Sequence, residues 1–416
     1  QLEDRNGDAA TSATTGDFIV TSLSYWGTAD VDGDGAEEIL CSDGTRSIAA
    51  GDGGLANCGG VGGTLAARDL NAANDSSNPY LGARNIYTYP PGSSSKELTH
   101  NHNKWTKDPA VNPLLNNGLF GLPADAAGTA MKNKIIDYVK GFDVDSTIAG
   151  AQRSWLLGDI LHSRPLVFNY TDYTTADENY CSESPNPSTG KFNSSVLYVG
   201  ANDGMVHAFR DCDGREMWAF VPPQVLKSLQ ATVDGTHQYF VDSPPVAYVH
   251  DVDNNGIIEP DTDGDRVVLV FGLRRGGSSN DISYGLNADG SINYNEPWGG
   301  YIALDVSTPG EPELVFSIDS SSVFDGDRPY EQMGQSWGQP RLAKIEHNGV
   351  RKVVAFIGGG YDKNEDLRYG QNQNFPDVTA DPTVPQQVDD AGVESGAGKT
   401  SPGSIAPEDR LNPRGG

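Results

Sequence analysis

The sequence predicts an all-β protein with a few short helices and long loops, for three reasons. Its apolar runs are short and rich in β-branched residues, the turns between them are built of Gly, Asn and Asp, and one strand–turn–strand pattern recurs along the chain. With Gly 50 and Pro 25 in 416 residues, uninterrupted stretches for helix are scarce.

The pattern is clearest in residues 196–223, VLYVGANDGMVHAFRDCDGREMWAFVPP. Residues 196–199, 205–209 and 216–221 read as strands, the last carrying Trp218. Residues 200–204 and 211–214 read as turns, because Asn, Asp and Gly adopt turn conformations that other residues avoid. Residues 267–318 repeat the plan as VVLVFGLRRGG, an insertion, and GGYIALDVSTPGEPELVFSI. Gly272 answers Gly200, Ala303 answers Ala208, Gly310 answers Gly214 and Phe316 answers Trp218. Residues 352–361, KVVAFIGGGY, open it again. Meanders repeated radially make a β-propeller. Beyond residue 370, Gln, Asn, Pro, Asp and Gly dominate, so the last unit lacks its remaining strands. An open ring exposes strand edges. The propeller is therefore expected to be incomplete in this chain, which is either a fragment or is completed by a second polypeptide.

Taken in order, residues 1–16 are polar, and 17–66 hold strand candidates at 18–23 and 38–41 around an acidic loop, followed by a Gly-rich stretch. Residues 67–125 are loop-rich, with one strand at 83–89. His100 and His102 lie in a solvated loop. Residues 128–141 form the clearest helix, with Met131, Ile135, Ile136 and Val139 on one face and Gly141 as its cap. Residues 153–169 lead into the first blade, where Asp159 and His162 read as turn or packing residues. A short helix is expected over 222–230 and a strand pair at 237–249. This divides the chain into a loop-rich β segment (1–127), blades (128–365) and a polar insertion or tail (366–416).

The formal charge of −28 would be repelled by a phosphate backbone and excludes nucleic acid as a partner. It suits a solvated extracellular surface and divalent cations. No apolar run reaches the length of a membrane-spanning helix. No signal peptide opens the chain, which is expected to be a mature or excised portion of something longer. The cysteines, Cys41, Cys58, Cys181 and Cys212, allow three pairings. Cys41–Cys58 and Cys181–Cys212 are favoured because each closes a local excursion, and disulfides imply an oxidising compartment.

Two acidic segments share the pattern D-x-D-x-[DN]-G-x-x-E. In the first the candidate ligands are Asp30, Asp32, Asp34, the carbonyl of Ala36, and Glu38. In the second they are Asp251, Asp253, Asn255, the carbonyl of Ile257, and Glu259. Alternate oxygen side chains, a backbone carbonyl and a Gly at the sharp turn suit a hard cation, and Ca2+ accepts the most flexible oxygen shell. Cys41 and Thr262 stand where an EF-hand has its closing Glu, and the flanks read as strands, so these are calcium-type loops inserted in β-hairpins. In the second, Asp261, Asp263 or Asp265 can add an oxygen.

LLGDILHSRP (156–165), VLYVGANDGMVHAF (196–209), EMWAFVPPQVL (216–226), YFVDSPPV (239–246), GGYIALDVSTP (299–309) and the stretch from SWGQPRLAKI to FIGGGYD (336–362) resemble the C-terminal β-propeller of the PilY/PilC family. KNKIIDYVKGFD (132–143) is similar to the helix that precedes it. The resemblance covers about 130–365. It implies a non-enzymatic type IV pilus biogenesis factor and tip adhesin, exported through the periplasm and outer membrane to the cell surface. Its implied partners are minor pilins, the pilus fibre and a host or abiotic surface. It also implies calcium-dependent control of pilus extension, retraction and twitching motility, through Asp251, Asp253, Asn255, Ile257 and Glu259.

The alternative is a periplasmic quinoprotein-type dehydrogenase, also a propeller, to whose tryptophan motif residues 201–218 are similar. A quinone site needs acids converging from several blades and often a disulfide of adjacent cysteines. Here no two cysteines are adjacent and the acids sit in contiguous loops. Fold alone does not give function, and the tryptophan serves equally as packing between blades.

Overall fold

Two sheets on one plan, each built on four antiparallel strands, form the body of the protein. The structure, a computed structural model, describes residues 3–361 apart from 5–6, 16, 20, 25, 27, 30–37, 42–43, 48–57, 74–79, 81, 171–194, 278–298, 325, 328 and 331–332. In chain order, β1 (Thr28–Ala29), β2 (Glu38–Cys41) and β3 (Gly44–Ser47) make a small sheet, followed by α1 (Gly60–Ala66), β4 (Ile86–Thr88) and α2 (Ala126–Lys140). The first large sheet adds β5 (Leu166–Asn169), β6 (Ser195–Gly200), β7 (Val206–Arg210) and β8 (Glu216–Val221) in the order β4-β8-β7-β6-β5. After α3 (Gln230–Val233), the second contains β9 (Val246–His250), β10 (Arg266–Gly272), β11 (Tyr301–Asp305) and β12 (Glu313–Ile318). Its order is β12-β11-β10-β9. A hairpin of β13 (Arg341–His347) and β14 (Val350–Phe356) follows.

The repeat extends to the register. Gly200 pairs with Val206 as Gly272 pairs with Tyr301. Ala208 faces Trp218 as Ala303 faces Phe316, and each ladder shifts at the next residue, between Ala208 and Phe209 and between Ala303 and Leu304. A bulge at the same place in both sheets turns the strand the same way. The equivalence ends at Gly310. Gly214 takes φ 68° and a Cβ there would strike the Trp26 ring, whereas Gly310 is not in the left-handed region.

β6, β7 and β8 are buried along their whole length, which explains apolar runs without alternation. One core joins the sheets through Val206, Trp218 and Phe220 on one side and Val267, Leu269, Phe271 and Ile302 on the other. Trp218 is 1% exposed, and its indole Nε1 donates to the Pro309 carbonyl of the second sheet's last turn at 2.7 Å. The tryptophan is thus a fastener between sheets. Trp218→Phe keeps most of the packing and loses this bond, and is expected to cost about 1 kcal/mol in urea unfolding. No loss would remove the fastening role.

The segment before α2 covers strand edges. β4 lies parallel against β8, and Trp105 donates its backbone N–H to Ile86. Further along, Glu97 bridges Glu313, and Leu98 and Lys96 exchange backbone bonds with Pro312 and Leu314 at the rim of β12. Both outer edges are thereby occupied.

Several expectations are corrected. Residues 352–361 do not open the last unit: β14 is the second strand of a hairpin whose first strand is β13, matching β5–β6 and β9–β10. Among the described residues no further strand pairs with β14 and no closed ring forms. Residues 237–243 are not strand, because Asn202 and Ala201 take the N–H groups of Phe240 and Val241. Among the described residues of 18–23, only an isolated bridge forms, Thr11 to Phe18. Part of the Gly-rich stretch is helix α1, where a Cβ on Gly62 would lie 2.3 Å from the Trp155 ring.

The helix over 128–141 forms as α2, two residues longer at its start. The Asp125 side chain accepts from Gly128 N at 2.8 Å as N-cap, and Gly141 caps the end at φ 113°. Residues 222–230 form a 3-10 helix, Pro223–Leu229, running into α3. Among the described residues no helix is long and apolar enough to cross a membrane. No described cysteine is free, but both favoured pairings use Cys41 or Cys181, whose side chains lie outside the described residues. Residues 366–416 lie outside them too.

Candidate metal centre

The second acidic segment is the connection between β9 and β10, whose ladder closes with Arg266 opposite His250. The expected hairpin setting is therefore present. Asp251 organises the turn, its Oδ1 accepting from Asn254 N at 2.7 Å and its Oδ2 from Gly256 N at 2.8 Å. These bonds, the Gly256 one first, hold its carboxyl below the usual range. Asn254 at φ 60° and Gly256 at φ 80° make the sharp bend that the Gly in the pattern anticipates.

Asp265 is fully buried and pins the loop. Its Oδ1 accepts from Val252 N at 2.8 Å and its Oδ2 from Glu259 N at 2.9 Å. The Glu259 carbonyl accepts from both Thr262 and Asp263, closing a turn with Pro260 at its second position. That turn brings Asp263 back over the loop.

Asp253, Glu259 and Asp263 converge, each offering a carboxylate oxygen within 4.8 Å of the others. Oxygens bound about 2.4 Å from one Ca2+ lie at most about 4.8 Å apart, so the donor set fits one such ion. Partial desolvation and the negative neighbours Asp253, Glu259, Asp265 and Asp251 raise the Asp263 pKa. Asn255 donates from Nδ2 to Asp253 and Glu259, both at 3.0 Å, while its Oδ1 accepts from Ile257 N. Its amide thus bridges two carboxylates.

Of the predicted ligands, Asp253 and Glu259 meet. Asp251 and Asn255 shape the turn around them. Asp263, one of three optional oxygens in the sequence, completes the group, while Asp265 serves the backbone. In the first acidic segment, Asp30, Asp32, Asp34 and Ala36 lie outside the described residues, as does the side chain of Glu38. Its flanks, β1 and β2, pair as a hairpin.

Sequence reasoning missed a buried chain of charges beneath the first sheet. Arg84 grips Glu216 with two bonds, Nη2 to Oε1 at 2.7 Å and Nε to Oε2 at 2.8 Å, both side chains being fully buried. His207 bonds Glu216 through Nδ1 at 2.8 Å and Asp203 through Nε2 at 3.1 Å. Burial alone would lower the His207 pKa, but Asp203 and Glu216 raise it to about 9. Burial would raise the carboxyls of Glu216 and Asp203; Arg84 and His207 pull both down instead. Arg68 completes the group by donating to the Glu216, Gly82 and Ala83 carbonyls. The available signal was a His and a Glu inside strands that are otherwise apolar.

His162 was also underread. Its Nδ1 lies 2.7 Å from Oδ2 of Asp242, which is 2% exposed, and Arg274 approaches the same oxygen at 3.6 Å while lying over the Trp337 ring. Asp159 pairs with His237 at 3.2 Å. His100 and His102 form an edge-on pair, Nδ1 of His100 accepting from His102 N.

The fold and loop thus define an all-β protein of blade-like sheets with a carboxylate-rich hairpin loop. No protein-family profile matches the chain. Over 241 residues it is 32% identical to the type IV pilus biogenesis factor PilY1 of Pseudomonas aeruginosa (strain UCBPP-PA14), covering 56% of this chain and 17% of that protein. Over 220 residues it is 33% identical to a PilY1 homolog of Xylella fastidiosa (strain Temecula1), covering 51% of this chain and 15% of that protein. The chain is PilY1-like over about half its length. The matched part spans about a sixth of these relatives. The crystal structure of the Pseudomonas aeruginosa PilY1 C-terminal domain aligns at 28% identity over 43% of this chain and 27% of that one, with a TM-score of 0.27. Both relatives are named as type IV pilus biogenesis factors, in agreement with the reading of a non-enzymatic chain.

Proposed function

We propose that this chain acts in type IV pilus biogenesis, as an exported, pilus-associated protein whose β9–β10 loop binds Ca2+. The observation that supports the pilus role is the 32% identity to PilY1 across 241 residues. The support for calcium is the convergence of Asp253, Glu259 and Asp263 on a hairpin loop pinned by Asp265. A bound Ca2+ supplies positive charge that offsets the repulsion among these carboxylates. Asp265 fixes the two arms of the loop, and the turn at Pro260 fixes the position of Asp263. The loop then presents one surface rather than many. We assign to that surface, at the pilus tip, contacts with minor pilins and the pilus fibre, adhesion to a host or abiotic surface, and calcium-dependent control of extension, retraction and twitching. The first acidic loop, 30–38, is proposed as a second calcium loop on its sequence pattern. The cysteines are proposed to pair as Cys41–Cys58 and Cys181–Cys212.

The test is genetic complementation in the organism that makes the protein. Deleting its gene is expected to reduce surface pili. The wild-type gene restores them, and Asp253→Ala restores the protein but not calcium-dependent twitching. Pili unchanged by the deletion contradict the pilus role. Twitching unchanged by Asp253→Ala contradicts the calcium role alone.

A further inference from the structure

Four segments meet where β6 and β10 end: 162–163, 242–243, 273–274 and 336–337. Ser163 Oγ donates to the Ser243 carbonyl at 3.3 Å and accepts from Gly200 N at 2.9 Å. Ser336 Oγ accepts from Leu273 N at 2.9 Å, and the Ser336 carbonyl accepts from Arg274 N at 3.2 Å. This bracing holds Arg274 at φ 53°, a conformation unfavourable for a residue with a Cβ.

The segments assemble one side-chain cluster. Asp242, 2% exposed, accepts from His162 N through Oδ1 at 3.1 Å and from His162 Nδ1 through Oδ2 at 2.7 Å. Arg274 Nε lies 3.6 Å from the same Oδ2. The guanidinium lies over the Trp337 ring at 4.5 Å, and Trp337 Nε1 donates to Gln335 Oε1 at 2.8 Å. The outer atoms are uncommitted. Of the Arg274 nitrogens only Nε is buried without a partner; Nη1 and Nη2 reach solvent, and among the described residues neither has a hydrogen-bond partner. The His162 side chain is 47% exposed, and its Nε2 has no partner among them either. A guanidinium fork and an imidazole nitrogen are thus braced by one buried carboxylate and open to solvent.

We propose that this cluster binds a hydroxy acid, the Arg274 Nη groups donating to its carboxylate and His162 Nε2 bonding its hydroxyl. The arginine fork matches the two oxygens of a carboxylate. With Nδ1–H given to Asp242, a neutral imidazole presents Nε2 as an acceptor, which suits a hydroxyl and not a second carboxylate oxygen. Asp242 is itself nearly inaccessible, so the ligand meets the two side chains it braces. Acids farther than about 8 Å away are screened at 0.15 M salt. Trp337, 41% exposed, offers an apolar surface to the ligand's carbon skeleton. The chemistry has two sources, a free hydroxy acid and a uronic acid unit of a polysaccharide. It requires neither the pilus role nor the calcium loop.

The test is calorimetry on the whole chain at fixed calcium and 0.15 M salt. The probes are glycolate, glucuronate and a galacturonate oligomer, with acetate as the control lacking the hydroxyl and glucose as the control lacking the carboxylate. Saturable binding of glycolate or glucuronate, with acetate at least about tenfold weaker and glucose not bound, assigns a free acid. Binding of the oligomer alone assigns a polysaccharide. Arg274→Gln is expected to abolish binding. His162→Asn, whose amide replaces Nδ1 towards Asp242 but has nothing at Nε2, is expected to erase the preference over acetate while keeping the carboxylate contact. If either variant fails to fold, the comparison of probes on the wild type decides. The proposal is overturned by no saturable binding of any hydroxy acid, by acetate binding as tightly as the hydroxy acids, by glucose binding as tightly as glucuronate, or by binding that survives Arg274→Gln.

Discussion

Glutamine in place of Glu216 is expected to lower the stability of the protein by about 3–5 kcal/mol, because it leaves buried cations without their anion. Among the described residues Glu216 is the only carboxylate bonded to Arg84, which is fully buried, and it shares His207 with Asp203. Glutamine has nearly the same shape but no charge, and its amide presents N–H where Arg84 or His207 already donates. The effect reaches beyond one strand. Arg84 also donates to the Val139 carbonyl at the end of α2, and Arg68 ties the Glu216 carbonyl to residues 82–83. Urea unfolding measures it, and a loss below about 1 kcal/mol, the size of one ordinary hydrogen bond, contradicts this account.

The same group sets a pH dependence. The His207 pKa rises from 6.5 to about 9 in the folded protein. Its contribution is therefore complete below the unfolded value and is lost as pH rises through about 9. Glu216 and Asp203 are shifted downward, so their contribution is present above the unfolded carboxyl range and is lost as pH falls below it. Stability is expected to be highest near pH 5–6.5 and to fall on both sides. His207→Gln is expected to flatten the alkaline limb and to weaken the acid limb without abolishing it, because Arg84 still lowers the Glu216 carboxyl. An alkaline limb unchanged by that substitution removes His207 as its cause.

Calcium is expected to have the second large effect. An ion that binds only the folded state stabilises it by about 2.7 kcal/mol when present at a hundred times its dissociation constant. The residues expected to carry the response are Asp253, Glu259 and Asp263, with Asp265 as the pin. Asp253→Ala removes one converging oxygen and also the acceptor for Asn255 N and Nδ2. It is expected to abolish the calcium response while leaving the sheets intact, because Asp253 is exposed and outside both strands of the hairpin.

The blades were legible in the sequence because local chemistry dictates them. The runs at 196–199, 205–209 and 216–221 appear as β6, β7 and β8 within a residue of the expected bounds. The correspondence of Ala208 with Ala303 and Trp218 with Phe316 survives to the ladder shift. What was not legible comes from distance along the chain. The partner of Glu216 is 132 residues upstream, and β4 joins β8 across a similar separation. Nothing near Arg84 announces either contact. In the acidic loop, the pattern located the turn and its Gly, but choosing among Asp261, Asp263 and Asp265 required the backbone. Only the path through Pro260 shows that Asp263 returns to the cluster while Asp265 turns inward to two N–H groups.

The most direct test of the central claim is thermal unfolding of the purified chain with calcium, with a chelator, and with calcium restored, for the wild type and for Asp253→Ala. The account predicts a reversible rise in Tm with calcium for the wild type and none for the variant, each compared with its own Tm in chelator. A wild-type Tm indifferent to calcium, or an equal rise in Asp253→Ala, contradicts the assignment of the β9–β10 loop as the calcium site.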